Sequence, residues 1–310
     1  MTIRLTNRRD VETFAVSDEE ILALNGDDEV TVRGDGNILD GGNGADVLRA
    51  EGNGNTIFGG DGHNTLLAEI IGENGSSRLL GGAGNDHLTV IGGNDNVLGG
   101  DDGDDVLRGG VGGDRLYGNV GRDQLSGDDG DDVLEGGDGA DKLVGGDGRD
   151  QLSGDAGKDR AEGGLGHDVL WGKGGNDTLL GGAGGDLLLG GLGRDALDGS
   201  DGNDLLFGEA GDDALTGGAG ADGFLFLGTG APLGRDEILD FEPGADAIEL
   251  RGFAGLDDFG DLAGAIAVVG DDTVIDLADA FGAAAGTATI TVTDVIGLAA
   301  SDFVFSAATG

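Results

Sequence analysis

The sequence predicts an all-β protein wound as a parallel β-roll, on three observations. A nine-residue pattern, Gly-Gly-x-Gly-x-Asp-x-Leu-x, runs in frame through fourteen uninterrupted units over residues 100–225. Its sixth place is Asp in every unit and its eighth is Leu in twelve, with Ala161 and Phe224 as the exceptions. Glycine supplies 71 of 310 residues, and 61 acidic against 17 basic side chains leave a net charge of −44, far from an ordinary globular composition. A fixed short period is the mark of a stacked repeat architecture.

Four segments follow along the chain. Residues 1–22 carry two β-type runs, "TIRLT" and "ETFAV", and are read as a cap that covers the first coil. Residues 23–99 keep the frame in worn form, with units starting near Ala23, Val32, Gly41, Ala50 and Gly59, then slipping to Gly72, Gly81 and Ile91. Their sixth places read Asp28, Asn37, Asp46, Asn55, Asn64, Ser77, Asp86 and Asn96. Residues 100–225 are the regular array. Residues 226–310 alternate apolar and polar in "DEILDF", "DAIEL", "DTVIDL" and "ATITVTDV", which predicts a compact β-rich cap.

Within a regular unit the glycines permit a sharp turn, and the last three residues are read as a short strand. Alternation on that strand points the eighth-place Leu inward and its neighbours outward. Two units then make one coil, and every second unit stacks on the same side. One buried Leu per nine residues falls several-fold short of the entropy lost in ordering nine backbone residues, many of them glycine. Charge repulsion widens that gap.

Stacking supplies what is missing. Each sixth-place Asp comes near its counterpart two units on, with turn carbonyls between them, an all-oxygen environment suited to Ca²⁺. The candidate metal ligands are Asp105, Asp114, Asp123, Asp132, Asp141, Asp150, Asp159, Asp168, Asp177, Asp186, Asp195, Asp204, Asp213 and Asp222. Fourteen units form twelve such pairs, so up to twelve ions would bring about +24 of charge to a region whose 29 acidic and 9 basic residues sum to −20. Binding and folding then share one free energy. Upstream, Asp28 and Asp46 share one edge and are candidates for a single ion. Asn37 and Asn55 share the other, where a neutral amide ladder would need no metal.

The repeats "GGDGADKLV", "GGDGRDQLS" and "GGAGGDLLL" resemble those of the RTX (repeats-in-toxin) proteins of Gram-negative bacteria. Residues 221–305 are similar to the segment that follows such repeats in serralysin-type proteases and alginate-epimerase R modules. The resemblance implies a right-handed parallel β-roll that folds on extracellular calcium. It also implies export by type I secretion machinery reading an uncleaved C-terminal signal, for which "SDFVFSAATG" is the candidate. The N-terminus lacks the apolar core of a secretory signal, and no apolar run approaches the roughly 18 residues of a membrane span. The family's catalytic and pore-forming signatures, HExxH, GxSxG and an apolar pore-forming stretch, are missing from this sequence.

The acidic balance argues against nucleic acid as a partner, and the lack of cysteine leaves neither disulfides nor thiolate sites. His63, His87 and His167 lie inside repeats and are read as turn or surface residues, as are Ser126 and Ser153. Paired carboxylates such as Asp131 and Asp132 suit calcium ligation beside a solvated neighbour better than glycoside hydrolysis. On one outer side the seventh and ninth places run Val169, Trp171, Leu187, Leu189, Leu205 and Phe207, an apolar patch that calls for a cover. Either residues 226–310 fold back over it or it is a self-association or target-binding face. The function expected is that of a secreted, calcium-binding, non-catalytic structural or surface-associated protein. Its alternatives are a module binding cell-surface glycan, and an accessory part of a secreted hydrolase or epimerase.

Overall fold

A computed structural model describes residues 1–71, 75–228, 233–253, 256–277 and 288–306. The protein is nearly all β, with short helical pieces such as Phe259–Leu262 and the single turn Ala300–Asp302. The chain forms two compact units, Met1–Asp155 and Ala156–Gly310, each a parallel β-solenoid.

In the first unit, consecutive strands alternate between two parallel sheets. One sheet stacks Thr2–Arg4, Glu20–Leu22, Ile38–Asp40, Thr56–Asp61, Arg78–Ala83, Val97–Asp102, Arg115–Val120 and Val133–Gly139. The other stacks Val11–Ala15, Glu29–Arg33, Val47–Glu51, Thr65–Glu69, His87–Ile91, Val106–Val111, Gln124–Asp129 and Lys142–Gly148. The register in the regular coils is 18 residues, with Val106 opposite Gln124 and Arg115 opposite Val133, so two nonapeptides do complete one coil.

The second unit repeats the scheme. Val169–Gly175, Leu187–Gly193, Leu205–Ala210, Gly223–Leu227, Ala247–Arg251 and Phe303–Ser306 form one parallel stack. Arg160–Gly166, Thr178–Gly184, Ala196–Gly202, Ala214–Thr216, Gly234–Ile238 and Ala288–Val292 form the other. The strands Ile266–Val269 and Asp272–Asp276 make an antiparallel hairpin, and the second of them also pairs antiparallel with Ala288–Val292. The described strands of the C-terminal segment therefore extend both sheets. Phe224, Phe226, Ile238, Ile248 and Leu250 are buried and carry the inward apolar column onward.

The core is one leucine wide in the regular coils. Leu107, Leu116, Leu125, Leu134, Leu143 and Leu152 are buried in the first unit, and Leu170, Leu179, Leu188, Leu197, Leu206 and Leu215 in the second. Most strands here run six or seven residues where three are expected from the repeat, as in Lys142–Gly148, whose last four residues open the next repeat. The ladder hydrogen bonds persist beyond the leucine because the following glycines, lacking Cβ, let adjacent coils keep their spacing. Positive φ falls at the second and fourth places, +107° at Gly191 and +135° at Gly193, a region that disfavours side chains.

Candidate metal centre

Every sixth-place Asp of residues 100–225 is buried, none more than 3% exposed. The backbone explains their position. The seventh-place N–H donates to the sixth-place carbonyl one coil earlier, as from Gln124 to Asp105 and from Ala196 to Asp177, both 2.9 Å, which sets the turn beneath the preceding one. The carboxylate then reaches back, and its Oδ1 accepts the N–H of the Asp one coil earlier. Asp105 N–H meets Asp123 Oδ1 at 2.7 Å, Asp123 N–H meets Asp141 Oδ1 at 2.8 Å, and Asp132 N–H meets Asp150 Oδ1 at 2.8 Å. In the second unit Asp159, Asp168, Asp177, Asp186, Asp195 and Asp204 donate in the same way to the Asp one coil on.

The second oxygen is the informative one. Oδ2 of Asp105, Asp114, Asp123, Asp132, Asp177, Asp186, Asp195, Asp204, Asp213 and Asp222 has no hydrogen-bond partner, and the same holds upstream for Asp28, Asp46 and Asp86. A buried unpaired carboxylate oxygen is expensive unless a cation meets it. Burial accordingly pushes these groups up from 3.8, Asp114, Asp123 and Asp213 to about 7 and Asp86, Asp105, Asp132, Asp195 and Asp204 to about 6. Neighbouring carboxylates add to the rise, while the backbone N–H on Oδ1 opposes it.

The space in front of Oδ2 is kept open by the first-place glycine. A Cβ built on Gly109 would lie 2.6 Å from Asp114 Oδ2 and 3.1 Å from the carbonyl oxygen of Gly127, and one on Gly190 would lie 2.6 Å from Asp195 Oδ2 and 2.7 Å from the carbonyl of Gly208. The cradle is thus bounded by a carboxylate oxygen and a carbonyl oxygen of the next coil. No group of three or more His, Asp or Glu side chains converges among the described residues, and backbone carbonyls such as that of Gly208 stand beside the carboxylates as further oxygens for a cation. Hard oxygens of this kind fit Ca²⁺.

The family model of the RTX calcium-binding nonapeptide repeat (4 copies) matches residues 32–66 and, in seven overlapping stretches, residues 71–224. The chain belongs to this RTX repeat family. Its repeats bind Ca²⁺, and the stacked buried aspartates fit several sites. Among solved structures, the chain is similar to the AlgE6R3 subunit of the mannuronan C5-epimerase from Azotobacter vinelandii, at 31% identity over 48% of this chain and 78% of that one, with a TM-score of 0.31. It is also similar to the extracellular lipase LipA from Serratia marcescens, at 19% identity over 77% of this chain, with a TM-score of 0.33; it spans 40% of the lipase. No curated protein matches.

Two RTX-like half-repeats lie beyond the regular array, where the sequence frame was lost. Gly234, Arg235, Asp236, Glu237 and Ile238 occupy the fourth to eighth places of one, and Gly244, Ala245, Asp246, Ala247 and Ile248 those of another. Asp236 Oδ1 accepts Asp213 N–H at 3.1 Å and Asp246 Oδ1 accepts Asp222 N–H at 3.0 Å. Burial pushes Asp236 up to about 8. Asp246 differs, because its Oδ2 accepts Glu242 N–H at 2.8 Å and Phe241 stands where a first-place glycine would be. The recurring Gly-x-Asp-x-Ile spacing was the available signal.

His63 and His167 sit in the turns, while His87 is exposed at the start of the strand His87–Ile91. Nδ1 of His63 accepts Asn85 N–H and Nδ1 of His167 accepts Gly185 N–H, both at 2.7 Å, alongside fifth-place carboxylates and amides that do the same, such as Asn176 to Arg194 N–H at 2.8 Å. Ser126 and Ser153 donate to Asp128 and Asp155 two residues on. Val169, Leu187 and Leu205 are in register in one outer row and Trp171, Leu189 and Phe207 in the next, all six half-buried.

Proposed function

We propose that the chain is a secreted protein whose roll folds on extracellular Ca²⁺ and then serves, without catalysis, as a structural or surface-associated protein. The observation that carries this reading is the stack of buried carboxylates whose outer oxygens lack partners in front of a glycine-lined cradle. Asp105 to Asp222 at nine-residue steps, with Asp46, are the proposed ligands. Asp28 is a weaker one, since buried Ala23 holds its first place. Residues 1–22 and 226–310 are the proposed caps on the worn coils 23–99 and the regular coils 100–225.

Export through type I machinery is supported by membership of the family and by the acidic-then-apolar tail, of which residues 307–310 lie outside the described residues. No described helix is long and apolar enough to cross a membrane. Surface association is supported by the two apolar rows, beside which the described C-terminal strands continue the same sheet. Calcium titration followed by circular dichroism and sedimentation tests both parts: sheet content and then mass should rise with calcium. Trp171→Ser with Leu189→Ser should leave a folded chain of altered oligomeric state. A variant that no longer folds would assign those side chains to the fold, and monomers binding glycan would favour an adhesin.

A further inference from the structure

We infer that one edge of the N-terminal unit, at the turns of Asn37 and Asn55, takes no calcium and closes through side chains alone, so that this part of the chain keeps its fold when the ion is withdrawn. The inference rests on the reading of the regular turns as calcium sites and names the turns that depart from it.

The sixth places of that edge are Asn37, Asn55, Ser77 and Asn96, all buried and none charged. Their geometry is that of the aspartates, since Asn37 N–H donates to Asn55 Oδ1 at 2.8 Å, Ser77 N–H to Asn96 Oδ1 at 2.9 Å and Asn96 N–H to Asp114 Oδ1 at 2.8 Å. In Asn37 and Asn55 the atom in the Oδ2 position is an amide nitrogen with donors to give, whereas the buried Ser77 Oγ has no hydrogen-bond partner. Asn37 Nδ2 donates to the carbonyls of Val16 and Gly34 at 3.0 and 3.1 Å, and Asn55 Nδ2 to Gly34 at 3.1 Å. The amide thus meets turn carbonyls directly, where the regular turns require a cation.

The cradle itself is filled. Val32, Ala50, Ala68 and Val90 are in register with one another on successive strands, occupy the place of the first glycine and are buried, at 0 to 2% exposure. Each strand there buries two apolar side chains, as with Val30 and Val32 or Leu48 and Ala50, where the regular strand buries one leucine. The turn backbone changes in step: Gly36 and Gly54, both in fifth place, share a φ of +68°. A repeat that had merely decayed would not change side chain, cradle and turn together in successive coils. On the opposite edge of the same coils Gly41 keeps its cradle, where a Cβ would lie 2.5 Å from both Asp46 Oδ2 and the carbonyl of Gly59, with positive φ at Gly42 and Gly44 as in the regular turns.

Hydrogen exchange on the full chain, with calcium and in chelator, tests this. In chelator, peptides within residues 29–69 should exchange on the order of tenfold or more slowly than peptides within 100–225, and calcium should slow the latter far more. Equal, fast exchange of both regions in chelator would overturn the inference. Slow exchange of both would leave the metal-free edge standing and overturn the calcium reading of the regular turns. Asn37→Asp combined with Asn55→Asp should bring residues 29–69 to the chelator exchange of 100–225, and unchanged protection in that variant would show that the amides do not hold the edge.

Discussion

In residues 100–225 twelve of fourteen repeats bury one leucine, and the turns bury an aspartate whose outer oxygen, as at Asp114 and Asp195, faces a glycine-lined cradle; in residues 29–91 the strands of one sheet bury two apolar side chains and the turns that follow carry Asn or Ser. Both regions keep the same ladder, with a sixth-place oxygen accepting a backbone N–H one coil away. What differs is who faces the turn carbonyls. Where the first place is glycine before an aspartate, space and a negative oxygen are left for a cation; at Val32 and Ala50 a Cβ takes the space and the amides of Asn37 and Asn55 meet the carbonyls. Calcium dependence in such a roll is therefore a property of the first and sixth places together.

Moving a cradle from one class to the other has the largest expected effect. Gly190→Val should fill the space before Asp195, abolish ion binding there and leave a buried charge uncompensated, a loss of about 3–5 kcal/mol visible in calcium-loaded thermal melts and as fewer bound ions. Unchanged ion count would mean the cradle lies elsewhere.

Acidity comes next. Because burial raises Asp114, Asp123 and Asp213 to about 7 and Asp105, Asp132, Asp195 and Asp204 to about 6 from 3.8, the metal-free folded form holds more protons than the unfolded chain between about pH 4 and 7. Their contribution to metal-free stability is whole below 3.8 and is lost as pH rises through 6 to 7. Chelated protein should therefore show more sheet by circular dichroism at pH 4.5 than at pH 7.5. Protons and calcium compete for the same oxygens, so the calcium midpoint should rise as pH falls from 7.5 to 5.5. Chelated protein with pH-independent sheet content would contradict the burial of these groups.

Smaller effects sharpen the contrast. Val32→Ala should cost about 1–2 kcal/mol in chemical denaturation while leaving the calcium midpoint where it was, since Val32 packs an edge without an ion. His167→Ala removes an acceptor from Gly185 N–H on an exposed turn and should cost about 1 kcal/mol, again by denaturation. A shifted calcium midpoint in the Val32 variant would show coupling that the separation of the two edges does not allow.

The regular array was legible because its periodicity fixes inside and outside at once: a Leu in every eighth place and an Asp in every sixth leave little choice of face. The end of the array was not, because Asp236 and Asp246 follow spacers that drop the leading Gly-Gly, and the eye loses the frame although Ile238 and Ile248 keep their inward place. The direction of the C-terminal segment was hidden for a different reason. Amphipathic alternation tells which side of a strand is buried but not which strand it lies beside, so stacking on Gly223–Leu227 and folding back over Trp171 looked equivalent. In the worn coils attention to the sixth place found the amides, while the matching change from Gly to Val32 and Ala50 becomes meaningful only once the first place is seen to front the cradle.

In this reading divalent ions supply the cohesion that a one-leucine core lacks. Native mass spectrometry of the calcium-loaded chain, paired with circular dichroism of the same sample before and after chelation, tests it most directly. The expected result is close to twelve ions in the regular array with loss of most sheet signal on chelation, and retained sheet in chelator or a stoichiometry of one or two ions would contradict it.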